Sequence, residues 1–276
     1  SLYRGRNRLG SAAVNQMKNK QRAELAVCGF AAVQALARQN PQKIKRFYYT
    51  RERAPAFGFL CKELASRKIP YNEVDAQELE KLSGSHHHQG LTAMIEMPVF
   101  LPVGPSDVDE WSVQGETVLV LDGIGNAQNA GAIIRSAAFF GIQRIILPAA
   151  GAASLITTSS YRNAQGGMEF VRLYAVHSIP VLLRALKGKL LRVGTDAAGS
   201  QSVRDIKNKA KNDVKTGCAV ILGNEENGMT DEVKKLCDRL VRIPSHNKRL
   251  ARAGGAFPDS LNVAQAAAVI LYELST

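Results

Sequence analysis

Leu119-Val120-Leu121-Asp122-Gly123-Ile124-Gly125-Asn126-Ala127-Gln128-Asn129-Ala130-Gly131-Ala132-Ile133-Ile134-Arg135-Ser136-Ala137 decides the fold. A short continuous apolar run from Thr117 to Leu121 has the pattern of a strand buried on both faces. A turn rich in Gly and Asn follows. Ala130, Ile133, Ile134, Ala137 and Ala138 then share one helical stripe, with Asn129 placed to cap that helix. Two later segments, Ile221-Leu222-Gly223-Asn224-Glu225-Glu226-Asn227-Gly228 and Ser260-Leu261-Asn262-Val263, are arranged similarly at element ends.

Outward from this stretch, further strands are expected at Arg144 to Leu147, Leu190 to Thr195, Cys218 to Leu222 and Leu240 to Ile243. Helices are expected at Leu183 to Leu186 and Ala264 to Leu274. This βαβ rhythm predicts an α/β domain over residues 116–276, with a parallel sheet covered by helices on both faces. Before it, Pro98, Pro102 and Pro105 fall within eight residues and mark a linker over 98–115. Residues 22–97 alternate short helices and strands, a second small α/β unit. Within it, Leu25, Val27, Ala31, Ala32, Ala35 and Leu36 suit one amphipathic helix ending near Asn40-Pro41. Ile44 to Thr50, Tyr71 to Val74 and Leu91 to Met97 suit strands. Phe59 to Ser66 and Ala76 to Leu82 suit helices. Residues 1–21 are basic and polar and read as an arm.

The net charge is +12 and the sequence pI about 9.7, which favours a polyanionic partner such as nucleic acid. Arg4, Arg6, Arg8, Lys18, Lys20 and Arg22 form one cluster without acids. Arg242, Lys248, Arg249 and Arg252 form another. No stretch approaches the ~18 uncharged apolar residues of a membrane span. The start lacks the apolar run of a signal peptide, and its opening on Ser1 leaves a longer parent chain open. Cys28, Cys61, Cys218 and Cys237 form no C-x-x-C pair. Zinc and redox motifs are therefore unsupported, and a reducing, cytoplasmic compartment is the expectation. His86-His87-His88 lacks cysteine or carboxylate companions in the sequence and reads as a surface loop, with no metal expected. Tyr161 to Glu169 reads as core packing.

A dinucleotide site is the first candidate for Gly123-x-Gly125. The third glycine position holds Gln128, and the acid expected about 20 residues later is missing, so the pattern fails.

The segments instead resemble the SpoU/TrmH family of RNA ribose 2′-O-methyltransferases, of the SPOUT class. Asn129 to Ala137 is similar to its first motif and Gly223 to Met229 to its second. Ile243-Pro244, Ser260 to Val263 and Leu271-Tyr272-Glu273 are similar to its third. Residues 22–97, with His88-Gln89-Gly90, resemble the L30e-like RNA-binding domain of many members. The resemblance implies a deep C-terminal trefoil knot, a homodimer, S-adenosylmethionine (SAM) as cofactor, and structured RNA, rRNA or tRNA, as substrate.

In that chemistry a ribose 2′-oxygen displaces an already activated methyl group, so the protein must supply alignment and a route for the hydroxyl proton. The resemblance places Arg135, Asn129, Glu225, Ser260 and Asn262 in the catalytic pocket. A guanidinium with a pKa above ~12 is a poor base, so Arg135 is expected to grip a phosphate and orient the hydroxyl. Helix capping is the competing role for Asn129, Ser260 and Asn262. The resemblance also assigns the cofactor to Gly223, Ile243 and Leu261, with Thr195 as a fourth position, held largely through main chain. One departure stands out. The loop from Ser245 to Asp259 is roughly twice the family's usual length and is basic. It leaves an alternative open: a non-catalytic RNA-binding relative with impaired SAM binding.

Overall fold

The computed structural model describes residues 23–204, 217–245 and 261–275. The basic arm, most of the lengthened basic loop and Ser260 lie outside the described residues. The chain forms two compact units.

The first unit comprises the residues up to Val99 together with Ile156–Phe170. Its elements are β1 (Glu24–Cys28), α1 (Phe30–Gln39), β2 (Ile44–Tyr49), α2 (Ala54–Ser66), β3 (Tyr71–Glu73), α3 (Ala76–Ser83) and β4 (Leu91–Glu96). The strands form one sheet in the order β1-β4-β2-β3. The single helix expected from Leu25 to Leu36 is therefore corrected. Leu25-Ala26-Val27-Cys28 is a fully buried strand paired with β4, and Gly29, at φ 94°, turns the chain into the helix. An apolar run buried on both faces carries no alternation to separate it from a helix. Phe47, Phe57, Leu60, Leu64 and Leu91 fill the core.

The second unit comprises Phe100–Leu155 and Val171–Thr276. Its strands are β5 (Leu101–Pro102), β6 (Thr117–Leu121), β7 (Arg144–Pro148), β8 (Arg172–Val176), β9 (Leu191–Thr195), β10 (Gln201–Ser202), β11 (Cys218–Leu222) and β12 (Arg239–Arg242). Its principal helices are α4 (Pro105–Gln114), α5 (Ala127–Phe139), α6 (Ile179–Ala185), α7 (Asp231–Leu236) and α8 (Val263–Ser275). The eight strands are all parallel, in the order β10-β12-β9-β11-β6-β7-β8-β5.

Residues alternate across each strand. Val118, Val120, Ala219 and Ile221 face one core with Trp111 of α4, Leu182 and Leu183 of α6 and Val233 of α7. Leu119, Leu121, Val220 and Leu222 are equally buried, and α5 and α8 pack together through Ala130, Ile133, Ile134 and Ala137 against Ala267, Ile270 and Leu271. Both faces are thus covered, as an all-parallel sheet requires.

The stretch expected as a linker is structured. Leu101 and Pro102 pair with β8, and Pro105 opens α4 at its first turn. Proline suits that position because its missing N–H would have no helical partner there. The strand β8 and the helices around Ala152–Leu155, Thr158–Ala164 and Asp231–Leu236 had no counterpart in the sequence expectations.

Candidate active site

The strand order places the site. From β6 the chain steps to β7 and β8 on one side. From β11, the neighbour of β6 on the other side, it steps outward past β9 to β12. The order thus reverses between β6 and β11, and the carboxyl ends of strands at such a reversal form a crevice. Leu121 and Leu222 are paired across it, and the Asp122 N–H donates to the Leu222 carbonyl at 2.8 Å.

Two loops leave this edge side by side. Asn224 ties them together. Its Nδ2 donates to the Gly123 carbonyl at 2.8 Å, while its Oδ1 accepts the N–H groups of Glu226 and Asn227. Glu225 then reaches across. Its Oε2 accepts the Gly125 N–H at 3.0 Å, and its Oε1 accepts Asn129 Nδ2 at 2.5 Å. From the start of α8, Asn262 Nδ2 donates to Asn129 Oδ1 at 3.2 Å, while its own Oδ1 accepts the Ala264 N–H. One chain of contacts, Glu225–Asn129–Asn262, thereby joins the three separated motifs.

The helix cap is Asn126, not Asn129. Asn126 Oδ1 accepts the Asn129 N–H at 2.8 Å, and α5 starts at Ala127. That shift leaves the Asn129 side chain for the crevice. Asn126 and Asn224 are the structural residues that the motif matching did not single out. Asn126 carried a signal, an Asn three residues before Asn129 at a helix start.

Arg135 is exposed on α5 and stands outside this chain of contacts. Six residues of helix put it about 9 Å from Asn129 along the axis. Ser260 lies outside the described residues. Three of the four positions matched to the cofactor stand at the carboxyl ends of neighbouring strands: Thr195 ends β9, Gly223 follows β11 and Ile243 follows β12, while the fourth, Leu261, precedes α8. The Thr195 hydroxyl donates to the Ile221 carbonyl at 3.1 Å.

Gly223 has a reason of its own. A Cβ there would lie 2.6 Å from both Gly228 C and Met229 N, so the loop closes on itself only over glycine. That close contact is packing within the loop itself. Leu261 is 49% exposed. Main-chain groups at these positions and an exposed leucine suit the edge and face of an adenosyl group.

Two carboxylates flank this edge, with pKa values shifted in opposite directions. Burial pushes Asp122 above its ordinary 3.8. Lys234, with Nζ 2.7 Å from Asp196, holds that carboxyl below it. Among the described residues, no group of His, Cys, Asp and Glu is placed to hold a metal ion. His88 is buried, its Nδ1 accepts the Gly90 N–H, and burial lowers its pKa.

With this geometry in place, comparison with known proteins identifies the family. Residues 116–272 match the family model described as SpoU rRNA Methylase. The chain belongs to the SpoU methylase family. Residues 26–100 match a second model, RNA 2′-O ribose methyltransferase substrate binding. A Bordetella pertussis protein named 23S rRNA (guanosine-2′-O-)-methyltransferase RlmB is 31% identical over 90% of this chain and 95% of its own. An uncharacterized tRNA/rRNA methyltransferase of Haemophilus influenzae is 31% identical over 65% of this chain, which spans half of that relative's length. The AdoMet-bound rRNA methyltransferase structure from Sinorhizobium meliloti aligns over 99% of this chain and 95% of its own, with a TM-score of 0.70 and 23% identity. Among the described residues no helix is long and apolar enough to cross a membrane.

Proposed function

We propose that the Glu225–Asn129–Asn262 chain of contacts is the wall of the methyl-transfer site and that ribosomal RNA is the substrate. The activity is SAM-dependent methylation of an RNA ribose 2′-hydroxyl. The observation that carries the site assignment is the meeting of three motif segments, far apart in sequence, at the strand-order reversal between β6 and β11. The rRNA substrate comes from the RlmB relatives, one of them 31% identical over nearly full length.

When bound, SAM supplies a methyl group on a sulfonium, ready for displacement by a ribose oxygen. The chain's residues hold the partners of that reaction. Gly223, Ile243 and Leu261 would hold the adenosyl group by main chain, with Thr195 beside them. Glu225 fixes the Asn129 carboxamide, and Asn262 fixes it from the other side. Both oxygens of Glu225 are already engaged by donors. That occupation suits a positioning role better than proton acceptance. Arg135 is a fork of donors for an RNA phosphate, which orients the ribose without changing its own charge.

We also infer a homodimer. Phe139 is 83% exposed and Tyr272 54%, and Phe139, Phe140 and Tyr272 form a continuous aromatic ladder across α5 and α8. Such a patch marks an interface. We infer the knotted path and a cytoplasmic setting from membership of the SpoU family. Incubation with labelled SAM and ribosomal RNA tests the activity. Calorimetry separates the alternatives: RNA binding without SAM binding at millimolar cofactor would leave only a non-catalytic RNA-binding protein.

A further inference from the structure

The SpoU methylase segment, 116–272, contains a stretch that belongs to the first compact unit. Leu155 and Val171 belong to the second unit, yet everything between them, Ile156–Phe170, belongs to the first. We propose that this stretch is a strap by which the methylase segment completes the substrate-binding unit, with Glu169 as the positioning residue that latches it.

The packing is that of a core element. Ser160, Tyr161, Ala164 and Met168 are buried. The helix Thr158–Ala164 lies against β1 and α1. After it, Gly166 takes φ +94°, and a Cβ there would sit 2.6 Å from Ala35 Cβ and 3.2 Å from the Ala31 carbonyl. The strap therefore touches the α1 backbone with no space for a side chain.

Glu169 closes it. Its side chain is 1% exposed and its Oε2 accepts Asn40 Nδ2 at 2.7 Å and Lys43 Nζ at 3.1 Å. Asn40 is the residue that ends α1, so the latch grips the end of that helix. At the other end, Arg162 Nη1 donates to Ser85 Oγ at 2.9 Å, between α3 and β4. Removing this buried carboxylate takes away the nearer acceptor of Asn40, which keeps only the Glu169 carbonyl at 3.4 Å, and returns the half-exposed Lys43 ammonium to solvent. The matched substrate-binding region, 26–100, thus lacks a part of its own core, and the missing part arrives from the methylase segment.

Hydrogen exchange on the full chain tests the strap. In Glu169→Ala, amides of β1 and α1 are expected to exchange at least 10-fold faster, while those of β6 and β7 keep their wild-type rates. Glu169→Gln, which retains an acceptor for Asn40, should restore most of the protection. Should Glu169→Ala fail to fold, Asn40→Ala removes one donor and is read the same way. Unchanged exchange in β1 and α1, or equal acceleration in both units, would overturn the strap. The positioning role is read separately, as a KM for RNA raised at least fivefold with kcat and SAM affinity retained; an unchanged KM beside accelerated exchange would overturn that role. Only this second readout rests on the methyltransferase assignment, so the exchange result stands even if no RNA is methylated.

Discussion

Replacing Glu225 with alanine removes two contacts at once: Asn129 Nδ2 at 2.5 Å and the Gly125 N–H at 3.0 Å. Hydrogen bonds to a charged group contribute about 1.5–3 kcal/mol each. Glu225 is half-buried, so solvent screening brings the pair down to about 2–3 kcal/mol in all. If that energy orders the crevice for the transition state, kcat falls about 30- to 150-fold at 1.4 kcal/mol per decade. Glu225→Gln keeps one carbonyl oxygen as acceptor and turns its amide toward the other donor. It should lose roughly half of that energy, or about 5- to 12-fold in kcat. Single-turnover methylation at saturating RNA and SAM separates the two variants from wild type. A positioning role requires this graded response. A glutamine variant as inactive as the alanine variant would assign proton transfer to Glu225, and an alanine variant with wild-type kcat would refute any role for the contact chain.

Further outcomes follow at Arg135, Gly223 and Asp122. Arg135→Ala should raise KM for RNA and lower the slope of log affinity against log salt by about 0.7–0.9, the loss of one phosphate contact, measured by fluorescence titration across salt concentrations. Arg135→Lys should recover charge but not the forked geometry, leaving an intermediate KM. Gly223→Ala forces a Cβ to 2.6 Å from two backbone atoms, and calorimetry should show SAM affinity reduced at least 10-fold while RNA affinity is kept. Asp122 has a folded pKa raised above 3.8 by burial, so the native state binds its proton more tightly than the unfolded chain. Stability is therefore lost as pH rises from below 3.8 through the raised folded value. Asp122→Asn removes that loss: denaturant titrations should find it more stable than wild type at neutral pH, with the gap closing in acid.

The central strands were legible because β6, β9 and β11 are short apolar runs with turn residues behind them, and local pattern determines such strands. Other features depend on partners far along the chain. Asn126 and Asn129 are both chemically fit to cap α5; Glu225, 96 residues later, is what engages the second and leaves the first as the cap. Leu25 to Cys28 merged with the following helix because both are apolar and only Gly29 separates them. Pro98, Pro102 and Pro105 suggested an extended linker, whereas Pro105 opens a helix whose Gly104 N–H is held by Asp107 at 2.8 Å. Tyr161 to Glu169 was legible as core packing, but nothing local says which core it joins. Its destination follows from small residues at Ala31, Ala35 and Gly166 that permit close contact, and from Asn40 and Lys43 waiting for one buried carboxylate.

The central claim is that the crevice between β6 and β11 methylates ribose. Its most direct test incubates the protein with methyl-labelled SAM and ribosomal RNA and then maps the label by alkaline hydrolysis. A 2′-O-methyl group protects the adjoining phosphodiester, because the neighbouring hydroxyl can no longer attack it. The account predicts label in an alkali-resistant dinucleotide at a defined position, strongly reduced by Glu225→Ala and by Arg135→Ala. Label recovered on a base, or no label with RNA and SAM both bound, would contradict it.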